Sequence, residues 1–356
     1  MVSRPLKITE VAAEAGVGVA TVSRVINDRA GVSGETRRRV MAVVDRLGYR
    51  PSRLAAGLAL GTTRSVAVLV PFLARPSVVA RLASVLPVLE EAGLDCVVCN
   101  IETPEQRDRH LRAFADHHRV AGILVVSVPL DAPHIAAVRS SGVPLILVDV
   151  DGAGVPRVVV DDVAGGRLAA EHVLGLGHDR IAFIGDATGP GLRFRSTRRR
   201  MAGIRSAMSE RGATMDASLV RLGPHGAAPA MEMAVDLLGG RDPPTAVLTA
   251  SDTQAMGVLW AAAKLGLQVP GDLSVVGFDD VEVAEILELS TVRQPLARSG
   301  EAGAQLLLAA IRGESVSTRR LLLPLELVVR RSCAPTRSVA INRSGDPSPR
   351  TRKPKP

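Results

Sequence analysis

Four residues within two helical turns carry hydrogen-bonding groups suited to a polyanion: Thr21, Ser23, Arg24 and Asn27. On a helix beginning near Val19, Val22, Val25 and Ile26 face inward, while Ala20 and Arg24 lie one turn apart on the outer face with Val19 beside them. An exposed arginine there can grip the O6 and N7 of guanine with two parallel hydrogen bonds, worth roughly 1–3 kcal/mol of discrimination. Hydroxyl and amide groups flanking it suit phosphate oxygens, which position a helix without reading sequence. The chemistry is that of a major-groove contact.

Other reactive residue types are weaker. Cys96 and Cys99 form a C-x-x-C, the spacing of redox and zinc sites. They fall in an apolar run, Leu94–Asn100, that reads as a short buried strand, where residues three apart point to opposite faces and cannot share a metal. Both are expected to be plain core cysteines. His110, His117 and His118 lie in a polar helix with no catalytic partner, and Asp279 with Asp280 are neighbours in a loop. Neither group is an activated nucleophile or an acid–base pair, so no enzyme is expected. Gly185, Gly189 and Gly191 have the spacing of neither a P-loop nor a dinucleotide fingerprint. No cofactor and no metal are expected.

The helix that would present Arg24 needs a scaffold. Ile8, Val11, Ala12 and Ala15 fall on one helical face that stops at Gly16. A third periodic run carries Val40, Val43, Val44 and Leu47, with Ser33 as N-cap and Gly48 as the stop. Helix, glycine turn and second helix make a helix-turn-helix. Pro51 ends the module, and the Ala- and Leu-rich stretch Ser52–Leu60 reads as a short hinge helix.

From Ser65 onward apolar strands alternate with helix-sized runs. Strands are expected at Val66–Val70, Asp95–Cys99, Gly122–Val126, Leu145–Val148, Val158–Val160, Ile181–Ile184, Ala246–Thr249 and Leu273–Val276. Helices are expected at Arg81–Ala92, Ala164–Leu176, Met201–Arg211 and Ala255–Leu265. Such alternation predicts parallel sheets covered on both faces. The formal net charge of +8 accords with a polyanionic partner. Aromatics make up only 2% of the residues, so any pocket must rely on polar contacts rather than ring stacking. No apolar run is long enough to span a membrane and no secretory signal is evident, which favours a cytoplasmic, nucleoid-associated protein over an exported binding protein.

The run V-A-x-x-A-G-V-x-x-x-T-V-S-R-V-I-N from Val11 to Asn27, then Val32-Ser33-x-x-Thr36-Arg37 and Leu47-Gly48-Tyr49-Arg50-Pro51-Ser52, resembles the lactose/galactose repressor (LacI/GalR) family. In the core the resemblance continues through the Asp161–Gly185 segment, Arg200-Met-Ala-Gly, Ser251-Asp-Thr-Gln-Ala-Met-Gly and Ser274-Val-Val-Gly-Phe-Asp-Asp, and it spans about Ile8 to Ser332. It implies an α/β protein: an all-α helix-turn-helix joined to a periplasmic-binding-protein-like core of two doubly wound α/β lobes. The implied domains are 1–50 (DNA binding), 51–64 (hinge helix and linker) and 65–334 (effector binding and dimerisation). The core divides into lobes of about 65–161 with 294–323, and about 162–293 with 324–334. A disordered basic tail, 335–356, follows.

The same resemblance implies base reading by Val19, Ala20 and Arg24, and phosphate contacts by Thr21, Ser23, Asn27, Ser33, Thr36 and Tyr49. Ala55 and Leu58 fall where the family inserts a hinge wedge into the minor groove. Gly57 departs from the pattern, since glycine costs about 1 kcal/mol relative to alanine in a helix. Effector positions carried over are Ser77, Val78, Asp149, Arg200, Ser251, Asp252, Phe278 and Asp279. Ser77 and Val78 replace an aromatic pair, and the loop from Asp186 to Arg199 is longer and more basic than usual. The implied function is a homodimeric transcriptional regulator, more a repressor than an activator. Its partners would be a palindromic double-stranded operator and a small molecule, a sugar or a sugar derivative. The C-terminal run lacks heptad leucines, so a dimer rather than a coiled-coil tetramer is expected.

Overall fold

The computed structural model describes residues 6–26, 28–49, 63–115, 119–187, 191–316 and 319–336. Asn27, the hinge with Ala55, Gly57 and Leu58, His117, His118, Gly189 and most of the basic tail lie outside the described residues. The chain divides into two compact units at Arg64/Ser65.

The first unit holds three helices: α1 (Ile8–Ala15), α2 (Val19–Ile26) and α3 (Gly34–Leu47). Gly16 adopts a left-handed φ of 62° that ends α1, and Val17 N–H reaches back to the Ala12 carbonyl at 3.0 Å. Ser33 caps α3 by accepting from Thr36 N–H at 3.2 Å, and Gly48 closes it at φ 63°. Val11, Val22 and Val40, all fully buried, meet with Ala12, Val25 and Tyr49 in one small core.

The second unit contains two six-stranded sheets. Strands β1 (Ser65–Pro71), β2 (Asp95–Ile101), β3 (Gly122–Val126), β4 (Leu145–Val148), β5 (Arg157–Val159) and β11 (Arg320–Leu322) form the first, in the order β11-β5-β4-β3-β1-β2, all parallel. Strands β6 (Ile181–Asp186), β7 (Val220–Gly223), β8 (Ala246–Thr249), β9 (Ser274–Asp279), β10 (Ser290–Arg293) and β12 (Glu326–Val328) form the second, in the order β12-β10-β9-β8-β6-β7. Only β12 runs antiparallel to its neighbour. The chain passes between lobes after β5, after β10 and between β11 and β12.

Helices α4 (Pro76–Glu91), α5 (Pro104–Ala115), α6 (Ala132–Ser140) and α12 (Leu296–Ile311) cover the first sheet. Helices α7 (Asp162–Gly175), α8 (Ser196–Glu210), α9 (Ala227–Leu238), α10 (Asp252–Lys264) and the short α11 (Glu282–Ile286) belong to the second lobe. Aliphatic clusters line both faces of each sheet, as parallel strands require.

Strand β2 corrects one expectation. It is an edge strand with Val97 and Val98 about 40% exposed, not a buried one. Cys99 packs into one face of its sheet and Cys96 into the other, and burial pushes the Cys96 thiol up to about 11. The two sulfurs belong to separate hydrophobic clusters.

Candidate functional site

Helix α2 has a sharp division of faces. Val22 and Val25 are 0% and 4% exposed, whereas Val19, Ala20 and Arg24 are exposed and Thr21 and Ser23 half-buried. The short turn from Gly16 to Gly18 leaves the N-terminal half of α2 projecting from the core. Ser33 spends its proton on Thr36, donating to Oγ1 at 2.9 Å, which leaves the Thr36 hydroxyl proton free to point outward. Tyr49 is a core residue, 9% exposed, and burial raises its phenol.

In the second unit the carboxyl ends of three strands from each sheet converge on one cavity of about 120 Å³. From the first sheet come Pro71, Ser127 and Asp149, and from the second Asp186, Ser251 and Asp279. Ligands of open α/β sheets bind at such ends, near the point where strand order reverses, here β1/β3 and β6/β8. Ser127, Asp149 and Asp279 have φ of 55°, 59° and 108°, a region that non-glycine residues enter at a cost of about 1–3 kcal/mol. Strain of this kind, repeated at three strand ends around one cavity, marks a site whose surroundings over-determine the backbone.

The cavity is strongly ionic. Arg200 Nε donates to Asp162 Oδ1 at 2.9 Å, and its Nη1 donates to the Ala250 carbonyl. Its guanidinium lies 3.6 Å above the Phe278 ring. Arg81, 2% exposed, donates to Gln294 Oε1 at 3.0 Å and Ser299 Oγ at 3.2 Å, and pairs with Asp149 at 3.3 Å. Gln294 in turn donates to Asp279 Oδ1 at 2.6 Å, and Ser127 to Asp149 Oδ2 at 2.7 Å. Burial raises Asp279, although Arg200 and Arg81 oppose the shift. Burial also tends to raise Asp186, but hydrogen bonding to His225 and the nearby Arg75 hold it below the ordinary carboxylate range.

Known proteins carry the same two parts. Residues 7–52 match the family model "Bacterial regulatory proteins, lacI family", and residues 170–333 match "Periplasmic binding protein-like domain". The HTH-type transcriptional regulator DegA of Bacillus subtilis (strain 168) is 33% identical over 92% of this chain and 98% of its own length. The HTH-type transcriptional regulator MalR of Streptomyces coelicolor is 36% identical over 92% and 96%. A crystal structure of the lac repressor dimer bound to operator and the anti-inducer ONPF is 30% identical, covers 93% of this chain and 100% of its own, and gives a TM-score of 0.80. The CelR–cellobiose complex is 32% identical over 92% and 100%, with a TM-score of 0.68.

The chain belongs to the LacI family.

It is accordingly a DNA-binding transcriptional regulator and not an enzyme. Among the described residues of this LacI-family chain, no helix is long and apolar enough to cross a membrane. Of the effector positions expected from sequence, Ser77, Val78, Asp149, Arg200, Ser251 and Asp279 line the cavity. The other two, Asp252 and Phe278, do not line it. Asp252 is fully buried outside the cavity wall, because Thr291 Oγ1 donates to its Oδ1 at 2.6 Å and Val281 N–H to its Oδ2 at 2.9 Å. Phe278, 1% exposed, lies beneath Arg200 and supports it rather than facing the cavity.

Sequence reading missed Arg75, Arg81, Asp162, Asp186, His225 and Gln294. Asp186 shares the placement that suits Asp149 and Asp279 to the cleft, an aspartate closing an apolar strand. Arg81 had another: a lone charge on the apolar face of α4, one turn from Val78 and Val85.

Proposed function

We propose that this regulator binds a palindromic operator as a homodimer in the bacterial cytoplasm, and that a small sugar or sugar derivative in the interlobe cavity sets its affinity for that DNA. The observation that carries the reading is the outer face of α2: two small apolar side chains and one arginine, exposed above a buried valine layer. Val19 and Ala20 offer contacts to thymine methyls, and Arg24 offers a fork to guanine. Thr21, Ser23, Asn27 and Thr36 would fix the helix to phosphates, with Ser33 and Tyr49 bracing the backbone behind them. Ala55 and Leu58 would wedge into the minor groove where two hinges meet.

Dimerisation is supported by exposed apolar side chains on α4 (Val79 at 49%, Leu86 at 40%) and on the free edge of β2, with Trp260 at 49% on α10 of the other lobe. The lac repressor is a dimer on its operator, and CelR holds cellobiose. In this chain Asp149, Asp279, Arg200 and Ser251 present acceptors and donors suited to vicinal hydroxyls. Repression is favoured over activation, since the operator-bound relative of known structure is a repressor.

Binding-site selection from a randomised duplex library tests the reading. The wild-type chain should enrich a palindrome with a guanine at one symmetric position in each half-site. Arg24→Ala should relax selection at that position by about tenfold while leaving the flanking thymines enriched. Enrichment of no palindrome, or an unchanged guanine preference in the variant, overturns it.

A further inference from the structure

Five arginines and five aspartates line the cavity, but they are unevenly paired. Arg75 pairs with Asp186 at 3.4 Å, Arg81 with Asp149 at 3.3 Å and Arg200 with Asp162 at 2.9 Å. Asp151 is taken by Arg157 at 2.7 Å. That leaves Asp279, deep in the wall and 7% exposed, as a carboxylate whose one hydrogen bond among the described residues comes from the neutral Gln294 amide. It also leaves two lining guanidinium groups, the exposed Arg195 and the half-buried Arg199, with no ion pair or hydrogen bond among the described residues. Arg199 is near enough to the buried Asp162 to oppose the rise that burial imposes on that carboxyl.

Both arginines sit at the start of α8. Arg195 occupies its N-cap position and supplies no side-chain cap, so the first N–H groups of this 15-residue helix stay open. Ser196 and Thr197 in its first turn also line the cavity. Thr197 is 2% exposed, yet its hydroxyl has no hydrogen-bond partner among the described residues. A threonine hydroxyl reached from the cavity, uncapped helix N–H groups and two guanidiniums without an ion pair among the described residues form the donor set of an anion. At about 120 Å³ the space is small beside the ~300–1,000 Å³ of drug-sized sites, so the occupant is on the scale of one sugar ring.

We propose that the effector is a monosaccharide carrying an anionic group, whose charge is held by Arg195, Arg199 and the first turn of α8 while its hydroxyls meet Asp149, Asp279 and Arg200. This rests on the reading of the cavity as the effector site and adds the ligand's charge and orientation. An anionic end at α8 neutralises the two guanidiniums that lack an ion pair among the described residues, and leaves the hydroxyls for the carboxylates.

Calorimetric titration of the full chain tests it, with glucose, fructose, galactose and ribose each beside its phosphate, and with glucuronic acid as the carboxylate probe. At least one phosphorylated or carboxylated sugar should bind, ten times or more tighter than its neutral parent. Arg199→Ala should weaken that binding at least tenfold. Arg198→Ala removes the same charge from an exposed neighbour outside the cavity and should change it less than twofold. Phosphates binding without carboxylates would define a phosphomonoester site, and the reverse a carboxylate one. A neutral sugar that binds as tightly as its phosphate and ignores Arg199 overturns the inference while leaving the effector site standing. Equal losses in the two arginine variants also overturn it, as binding to diffuse positive charge. Silence across the whole set overturns both the inference and the sugar-effector reading.

Discussion

Asp252 shows how a carboxylate can serve a site without touching its ligand. It takes hydrogen bonds from Thr291 and from Val281 N–H, and so ties the N-terminus of α10 to β10 and to the turn after β9. That turn carries Asp279 and Asp280, both with positive φ, and Asp280 is anchored by Arg293 at 2.6 Å and Arg330 at 2.7 Å. Burial, with Asp279 adding to it, pushes the Asp252 carboxyl up to about 7. A folded-state value above the unfolded one means that the native state holds the proton more tightly. The stability contributed by this group is therefore complete below about pH 4 and is lost as pH rises through about 7. Denaturant unfolding between pH 4 and 7.5 should show wild type losing stability relative to Asp252→Asn, which keeps an acceptor for Thr291 and does not titrate. Parallel profiles would contradict this assignment.

Elements position the site through close backbone contact. Helices α7 and α8 pack so tightly that a Cβ on Gly166 would collide with the Arg200 carbonyl, and one on Gly203 with the Val163 carbonyl. This approach brings Arg200, on α8, within reach of Asp162 at the start of α7. Gly203→Ala must push the helices apart, because neither backbone can rotate away as a side chain would. It should cost about 3 kcal/mol, the upper end for overpacking, and should also disturb the Arg200–Asp162 pair. A loss under 1 kcal/mol by urea unfolding would show that the helices slide freely. In the first unit, Ser33→Ala removes the α3 cap and should cost about 1 kcal/mol. Ser33→Gly should lose only a few tenths, and equal losses would mean that the cap bond is not what matters.

The sequence was most informative at this scale, for a physical reason. Strands Gly122–Val126, Leu145–Val148 and Ala246–Thr249 were legible because parallel strands buried on both faces are unbroken aliphatic runs bounded by turns. Strands β7 and β10 were not, since they are a short edge and a short crossover strand, and the run Leu321–Arg331, which resembles the family's closing strand, is split into β11 and β12. Val220–Gly223 alternates charge with aliphatics, and Arg320–Leu322 is exposed throughout. Helices were read late at their N-termini: α8 begins at Ser196 rather than Met201, because its first turn is three arginines and two hydroxyls with no apolar stripe. That polar first turn faces the cavity, so function overrode pattern where pattern was being read. Asp252 was carried over with Ser251 from the family resemblance, and nothing local betrays its burial behind the wall.

At the scale of the whole molecule, the cavity draws one wall from each lobe, and ion pairs cross between them. Arg75 of the first lobe meets Asp186 of the second while sitting 4.5 Å from the Phe72 ring and 5.3 Å from Phe194. Arg81 and Gln294 link Asp149 of the first lobe to Asp279 of the second. A ligand bonded to both carboxylates changes the relative stability of lobe arrangements. It can shift operator affinity only by its differential affinity for those arrangements. Coupling of this kind amounts typically to 5–150-fold, enough to turn a regulator on or off.

The most direct test is the dissociation constant of the selected palindromic duplex, read by fluorescence anisotropy with and without each sugar of the panel. For the wild-type chain, one sugar should change that constant at least fivefold in either direction. With Asp279→Asn the sugar-free constant should stay within twofold of wild type, and the sugar should no longer shift it. Tight operator binding that no sugar moves, or a shift that persists undiminished in Asp279→Asn, would contradict a DNA-binding regulator governed from this cavity.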